Sequence, residues 1–185
     1  AAEVGFPAVL KIISPEASHK TEVGGVTLNI ADEAAAVAAA DAMQARLTVH
    51  DPGATVDGFL AQEMVTGTEM LVGARDDELY GPLIILGAGG VMVELMRDVA
   101  IRLLPVKEED VAAMLEELKS AALLDGYRGA PTADKEVLIT AVVALGDFYL
   151  DHRHMLADLE INPLMVRPQG EGVCAVDIRA VTRTG

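Results

Sequence analysis

Lys11, Ser14, His19, Lys20, Thr21 and the pair Gly24-Gly25 are residue types from which a polyphosphate site can be built, a lysine leaving a strand into a flexible loop. Glycines let backbone amides approach a phosphate closely, and a lysine amine offsets its charge. The order is neither the GxxxxGK[ST] of a Walker A loop nor GxGxxG. A solvated loop with an incidental lysine has the same composition. A second group lies near the end of the chain, where Asp158, Glu160 and Asn162 occupy alternate positions and Asp177 follows. Alternate strand residues share a face, so these oxygens would gather on one side, with Asp177 joining from the next strand. Such a set suits Mg2+, which takes carboxylate and amide oxygens and completes its shell with phosphate and water. The exposed polar face of an edge strand is the other reading. A third group is GFLAQEMVTGTEMLVG, in which Gln62, Glu63 and Glu69 interrupt apolar residues around a turn. Main-chain groups there would read a purine edge while a carboxylate reaches the ribose. An ordinary hairpin with a polar turn fits it too.

The elements that must position these residues follow from periodicity and turn signals. PAVLKI reads as a buried strand ending near Lys11, and SPEASHKTEVGG as a long polar loop leading to a second strand, VTLNI. Asp32 is an N-cap for an Ala-rich helix reaching about Leu47. HDPGATVDG links to FLAQEMV, and EMLVGAR, LIILG, VMVELM and AIRLLPV continue as strands of a mostly antiparallel sheet, with the cluster GAGG among them. Val111, Met114, Leu115 and Leu118 mark the apolar face of a helix from Glu108, and a second helix runs from Thr132 or Ala133 to about Leu150. LEINPLMV and VCAVDIRAV close the chain as two strands. Strands outnumber helices and cluster in runs, so the fold class is α+β.

Composition narrows the function. Residues number 185, half of them apolar, enough for one sizeable domain or two lobes around a cleft. The net charge of −15 argues against a nucleic-acid or anionic-membrane surface, both of which need clustered Lys and Arg. Cys174 is the only cysteine, which excludes an intrachain disulfide and fits a reducing, cytoplasmic compartment. No apolar run approaches the roughly 18 residues of a membrane helix, and the start lacks the features of a signal peptide.

The order of the motifs ties the three groups together. LKIISPEASHKTEVGGV, QEMVTGTEMLVG, GPLIILGAGGVMVELMRDVAIRLLP, RGAP and EINPLMV resemble, in that sequence, the ATP-grasp domain of NDP-forming acyl-CoA synthetases, the superfamily of succinyl-CoA synthetase. The resemblance covers nearly the whole chain. It implies an ATP-grasp fold of mostly antiparallel lobes with packed helices, residues 1–60 supplying part of the N-terminal lobe and 61–185 the C-terminal lobe. The family's domain usually begins some tens of residues earlier, so that N-terminal portion is expected to be missing.

Laid on matching positions, the resemblance implies that Lys11 contacts the nucleotide phosphates and that the loop to Gly24 and Gly25 covers them. Gln62, Glu63, Met64 and Val65 would form the adenine-side hinge, and Glu69 would hold the ribose. Asn162 and Asp177 resemble the Mg2+ ligands, with Glu160 a further one. His19 resembles the histidine of an HK[ST][DE]xGG loop that carries phosphate between a CoA-binding half and ADP, and imidazole is a competent nucleophile near neutral pH. His50, His152 and His154 lie outside the motifs. Gly87, Gly89, Gly90, Glu94, Asp98 and Arg102 also match the family, and the glycines suggest close approach of backbone to phosphate or to the partner half. Glu94 would line the transfer site or cap a hairpin. The implied activity is acyl-CoA + ADP + phosphate ⇌ carboxylate + CoA + ATP, with ATP/ADP and Mg2+ as cofactors. The implied partner is a CoA-binding half, in the same chain or a separate subunit of an oligomer. The alternative is a non-catalytic regulatory domain of the kind fused to protein lysine acetyltransferases. Another ATP-grasp carboxylate ligase is a third reading, disfavoured by the HKTEVGG loop because such enzymes use no protein phosphate carrier.

Overall fold

The computed structural model describes residues 3–15, 24–90 and 98–183. His19, Lys20, Thr21 and Glu94 lie outside the described residues. The chain divides into two compact units, Ala1–Met64 and Val65–Gly185.

The first unit is a three-stranded antiparallel sheet in the order β2-β1-β3, made of β1 (Ala8–Ile13), β2 (Val26–Ile30) and β3 (Gly58–Glu63). Helix α1 (Glu33–His50) starts at Asp32, whose carboxylate accepts the Ala35 amide at 2.8 Å, satisfying one of the amides that the first turn leaves without a partner. One face of β1, Ala8, Leu10 and Ile12, packs with Ile30 against Met43 and Leu47 of the helix. Small alanines at 35, 36, 39 and 40 let the helix approach that sheet closely. A register irregularity between β1 and β2 coincides with Asn29, which has φ 56°, a conformation asparagine tolerates better than most residues.

The second unit is a larger antiparallel sheet in the order β6-β5-β4-β7-β8, with β9 also paired to β7. Its strands are β4 (Thr68–Asp77), β5 (Gly81–Ala88), β6 (Val99–Leu103), β7 (Leu156–Val166), β8 (Val173–Ala175) and β9 (Ile178–Thr182). Helices α2 (Glu108–Glu117), α3 (Ala121–Leu124) and α4 (Lys135–His152) supply the other half of the core. Met70, Val72 and Ala74 of β4 meet Val111, Met114, Leu138 and Val142 in one cluster, so the alternate residues Glu69, Leu71, Gly73 and Arg75 face the opposite side of the sheet. Asp134 caps α4 and also accepts the amides of Gly170 and Gly172 at 2.9 and 3.0 Å, tying the helix start to the β7–β8 turn. Among the described residues no helix is long and apolar enough to cross a membrane.

Two expectations change. VCAVDIRAV is not one strand: β8 and β9 both pair with β7, and Val176 and Asp177 lie between them. The interruption falls opposite Asn162 and Pro163, where Val176 N–H donates to the Pro163 carbonyl at 3.1 Å and Asn162 N–H to the Asp177 carbonyl at 3.0 Å. The proline has no N–H with which to continue a regular ladder. Lys11, expected where its strand ends, lies inside β1 opposite Leu60 and is only 7% exposed.

Candidate functional site

In the first unit the face of β1 turned away from α1 carries Val9 and Lys11, and Gln62 of β3 stands directly opposite Val9. Lys11 and Gln62 are therefore diagonal neighbours on one face. The Gln62 side-chain oxygen is buried without a hydrogen-bond partner among the described residues. Glu63 pairs with Ala8 and so belongs to the other face. Where β2 begins, Gly25 accepts the Ile12 amide at 2.8 Å, and Gly24 accepts a hydrogen bond from the Arg46 guanidinium at 2.9 Å. Gly24 has φ +65°, and a Cβ there would come within 2.7 Å of the Arg46 Nε. Arg46 thus packs against the glycine pair from the helix. It escapes motif reading because it contacts the pair only through the fold.

In the second unit the glycine cluster lies across β4. Gly89 N–H donates to the Glu69 carbonyl at 2.8 Å, and a Cβ at Gly89 would sit 2.7 Å from the backbone of Glu69 and Met70. Gly90, with φ +61°, donates its amide to Asn162 Oδ1 at 3.0 Å, and a Cβ on it would overlap the Glu69 carboxylate at 1.9 Å. Only glycine combines that left-handed backbone with that contact. The turn therefore brings Glu69 and Asn162 together, and the Asn162 amide bonded to the Asp177 carbonyl brings in Asp177. Glu160 stands in register between Gly73 and Arg179. Asp158 is ion-paired with Arg179 at 2.6 Å.

Among the described residues there is no group of three or more His, Cys, Asp or Glu that could hold a metal ion. The residues expected to supply oxygens are Asn162, whose side-chain oxygen has one lone pair engaged by Gly90, Asp177, joined to Asn162 through its backbone carbonyl, and Glu160, two residues before Asn162 on the same strand. This hard-oxygen set fits an ion that keeps water and phosphate in its shell better than an all-protein cage. In the first unit the buried Gln62 oxygen, without a partner among the described residues, is an acceptor that a polar ligand could use.

Asp98 and Arg102 are structural. The Asp98 carboxylate is buried and accepts the amides of Lys119 at 3.0 Å and Ser120 at 2.7 Å, ahead of α3. Burial pushes its carboxyl up, but the neighbouring Ser120 side chain and the Ser120 and Lys119 amides outweigh that and hold it below the usual carboxylate range. Arg102 forms an exposed ion pair with Glu117, which lowers the Glu117 carboxyl. His152 stacks on Phe148 with ring centroids 4.2 Å apart, at the end of α4.

An ATP-grasp domain model matches residues 1–181, and the chain belongs to the ATP-grasp family. It is 36% identical over 98% of its length to the acetate–CoA ligase [ADP-forming] I of Archaeoglobus fulgidus, of which it spans 26%. It is 30% identical to the acetate–CoA ligase [ADP-forming] II subunit beta of Pyrococcus furiosus, matching 99% of this chain and 78% of that one. Among solved structures, PH1788 from Pyrococcus horikoshii aligns over all of the chain and 78% of its own at 30% identity and TM-score 0.89. A dinucleotide forming acetyl-coenzyme A synthetase 1 of Ca. Korarchaeum cryptofilum, in complex with coenzyme A and Ca-AMPCP, aligns at 36% identity and TM-score 0.90, covering 98% of this chain and 79% of that one. The α+β ATP-grasp fold and the resemblance to ADP-forming acyl-CoA synthetases are thereby borne out. The chain spans about a quarter of several of these ligases.

Proposed function

We propose that this chain is the nucleotide-binding half of an ADP-forming acyl-CoA synthetase, interconverting acyl-CoA, ADP and phosphate with carboxylate, CoA and ATP. It would work in the cytoplasm, within an oligomer, with a CoA-binding half in the same polypeptide or a separate subunit. The observation that supports the reading is the Gly89-Gly90 turn latched onto Glu69 and Asn162: it sets the Glu69 carboxylate near the Asn162 side-chain oxygen, as a ribose acceptor beside a phosphate-side ligand would require. In this reading residues 1–60 supply part of the N-terminal lobe and residues 61–185 the C-terminal lobe.

Main-chain groups of Gln62, Glu63, Met64 and Val65 would read the base, and the Glu69 carboxylate would accept the ribose hydroxyls. Lys11 and the Gly24 and Gly25 amides would neutralise and orient the phosphates; placing charge in advance where it develops is the main source of catalysis in phosphoryl transfer. Mg2+ would be held by Asn162 and Asp177, with Glu160 as a further ligand, and when bound it screens the phosphate oxygens from one another. His19 is the proposed carrier. Its imidazole nitrogen attacks the γ-phosphorus of ATP, an N–P bond forms as the bond to the β–γ bridging oxygen breaks, ADP leaves with the electron pair, and the imidazole proton passes to solvent. The phosphoryl group then goes to the CoA-binding half, and every step reverses in the direction of ATP formation.

The test is to incubate the intact assembly with γ-labelled ATP and magnesium and look for acid-labile, base-stable protein phosphate. Wild type should label and His19→Ala should lose the label on this chain. Label that persists unchanged in the variant removes His19 as carrier, and a wild type that neither labels nor binds nucleotide removes the enzyme reading.

A further inference from the structure

Arg167 belongs to none of the sequence motifs, yet its Nε is buried and has no hydrogen-bond partner among the described residues. Buried guanidinium donors are almost always satisfied, so an unpartnered one calls for an explanation. Among the described residues no carboxylate forms an ion pair with it.

Register shows which way the side chain points. Thr68 pairs with Val166 and Glu69 with Met165, and on the β8 side the pairing of Val166 with Val173 runs one residue further, Arg167 N–H donating to the Gly172 carbonyl at 3.0 Å. Thr66, Thr68, Val166 and Pro168 all line one small cavity of about 250 Å³ on one side of this corner. Arg167, between Val166 and Pro168, is not among the residues that line it, and by strand alternation its side chain falls on the other side, shared with Glu69 and Met165. A Cβ on Gly67 would stand 3.3 Å from the Arg167 nitrogen and 2.5 Å from the Val166 carbonyl, so the two strands are in close contact where Arg167 leaves β7. Along this face the order is Asn162 with Gly90, then Glu69 with Met165, then Arg167 at the Val65 end of β4.

We infer that Arg167 is a ligand contact at the nucleoside end of the site, its guanidinium donating to, or lying flat against, a purine nucleoside diphosphate whose phosphates point toward Asn162. The inference rests on the nucleotide reading above. A guanidinium suits this place because it is a planar, weakly hydrated donor that hydrogen-bonds in its plane and stacks on aromatic faces. Glu69 and Arg167 then flank the nucleoside with an acceptor and a donor.

Steady-state kinetics of the intact assembly in the ATP-forming direction, with calorimetry of Mg-ADP, test this. Arg167→Ala should raise KM for ADP roughly tenfold, the loss expected for one hydrogen bond to a charged group, with kcat within twofold and KM for phosphate and acyl-CoA unchanged. Arg167→Lys should fall between, and Arg167→Gln, which keeps the aliphatic stem and a polar head, covers the case in which the alanine variant fails to fold. An ADP KM within twofold of wild type in the folded variants overturns the inference, as does a parallel rise in all three KM values, which marks a general structural role. A wild type that does not bind Mg-ADP overturns the nucleotide reading and this inference with it, whereas an indifferent variant of a wild type that binds overturns the inference alone.

Discussion

Replacing Asp98 by asparagine isolates one buried carboxylate and leaves its volume unchanged. In the native structure the two carboxylate oxygens accept Lys119 N–H at 3.0 Å and Ser120 N–H at 2.7 Å. The carboxamide can still accept one of these, but its NH2 is turned on the other donor, and that amide loses its partner at a site where Asp98 is 7% exposed. A charge-assisted hydrogen bond contributes about 1.5–3 kcal/mol and an orphaned buried amide costs a comparable amount, so Asp98→Asn should lose about 2 kcal/mol at pH 7. The pH dependence carries a definite sign. The folded carboxyl lies below its ordinary value of 3.8, so ionised Asp98 stabilises the fold above that value, and the advantage is lost as pH falls through the lower, folded one. Urea titrations of wild type and variant at a series of pH values should give a constant difference between pH 6 and 8, narrowing only below about pH 4. A difference under about 0.5 kcal/mol at pH 7, or one that widens on acidification, refutes the assignment of Asp98 as an ionised cap.

Gly90→Ala should destabilise the protein by about 1–2 kcal/mol through its left-handed backbone, and raise the ADP KM as well, because the new Cβ displaces the Glu69 carboxylate; an unchanged KM in the folded variant removes Glu69 from the site. Asp134→Ala removes the α4 cap together with the acceptor for Gly170 and Gly172, and thermal melting should show a loss of about 2–3 kcal/mol while nucleotide affinity stays as it was.

Much of this architecture is legible in the sequence because it is locally encoded. Alternation predicts β4 and β5, the spacing of Val111, Met114 and Leu115 predicts α2, and Asp32 announces the start of α1. The candidate site is legible through the order of its motifs: QEMV with Glu69, GAGG and EINPL stand far apart in the chain, and local chemistry alone leaves each with an ordinary alternative. Tertiary structure decided what depends on partners distant in sequence. It split the last strand at Asp177, because the strand beside it carries Asn162 and Pro163 there. It made Asp98 a cap for amides 21 and 22 residues away. It turned Gly90 toward Asn162, 72 residues on, and left the Arg167 Nε buried with no partner among the described residues. Hydrophobic period and capping act over one or two turns of chain and can be read from residue order. Which donor meets which acceptor across a sheet depends on register and on one irregular pairing, and those exist only once the strands are side by side.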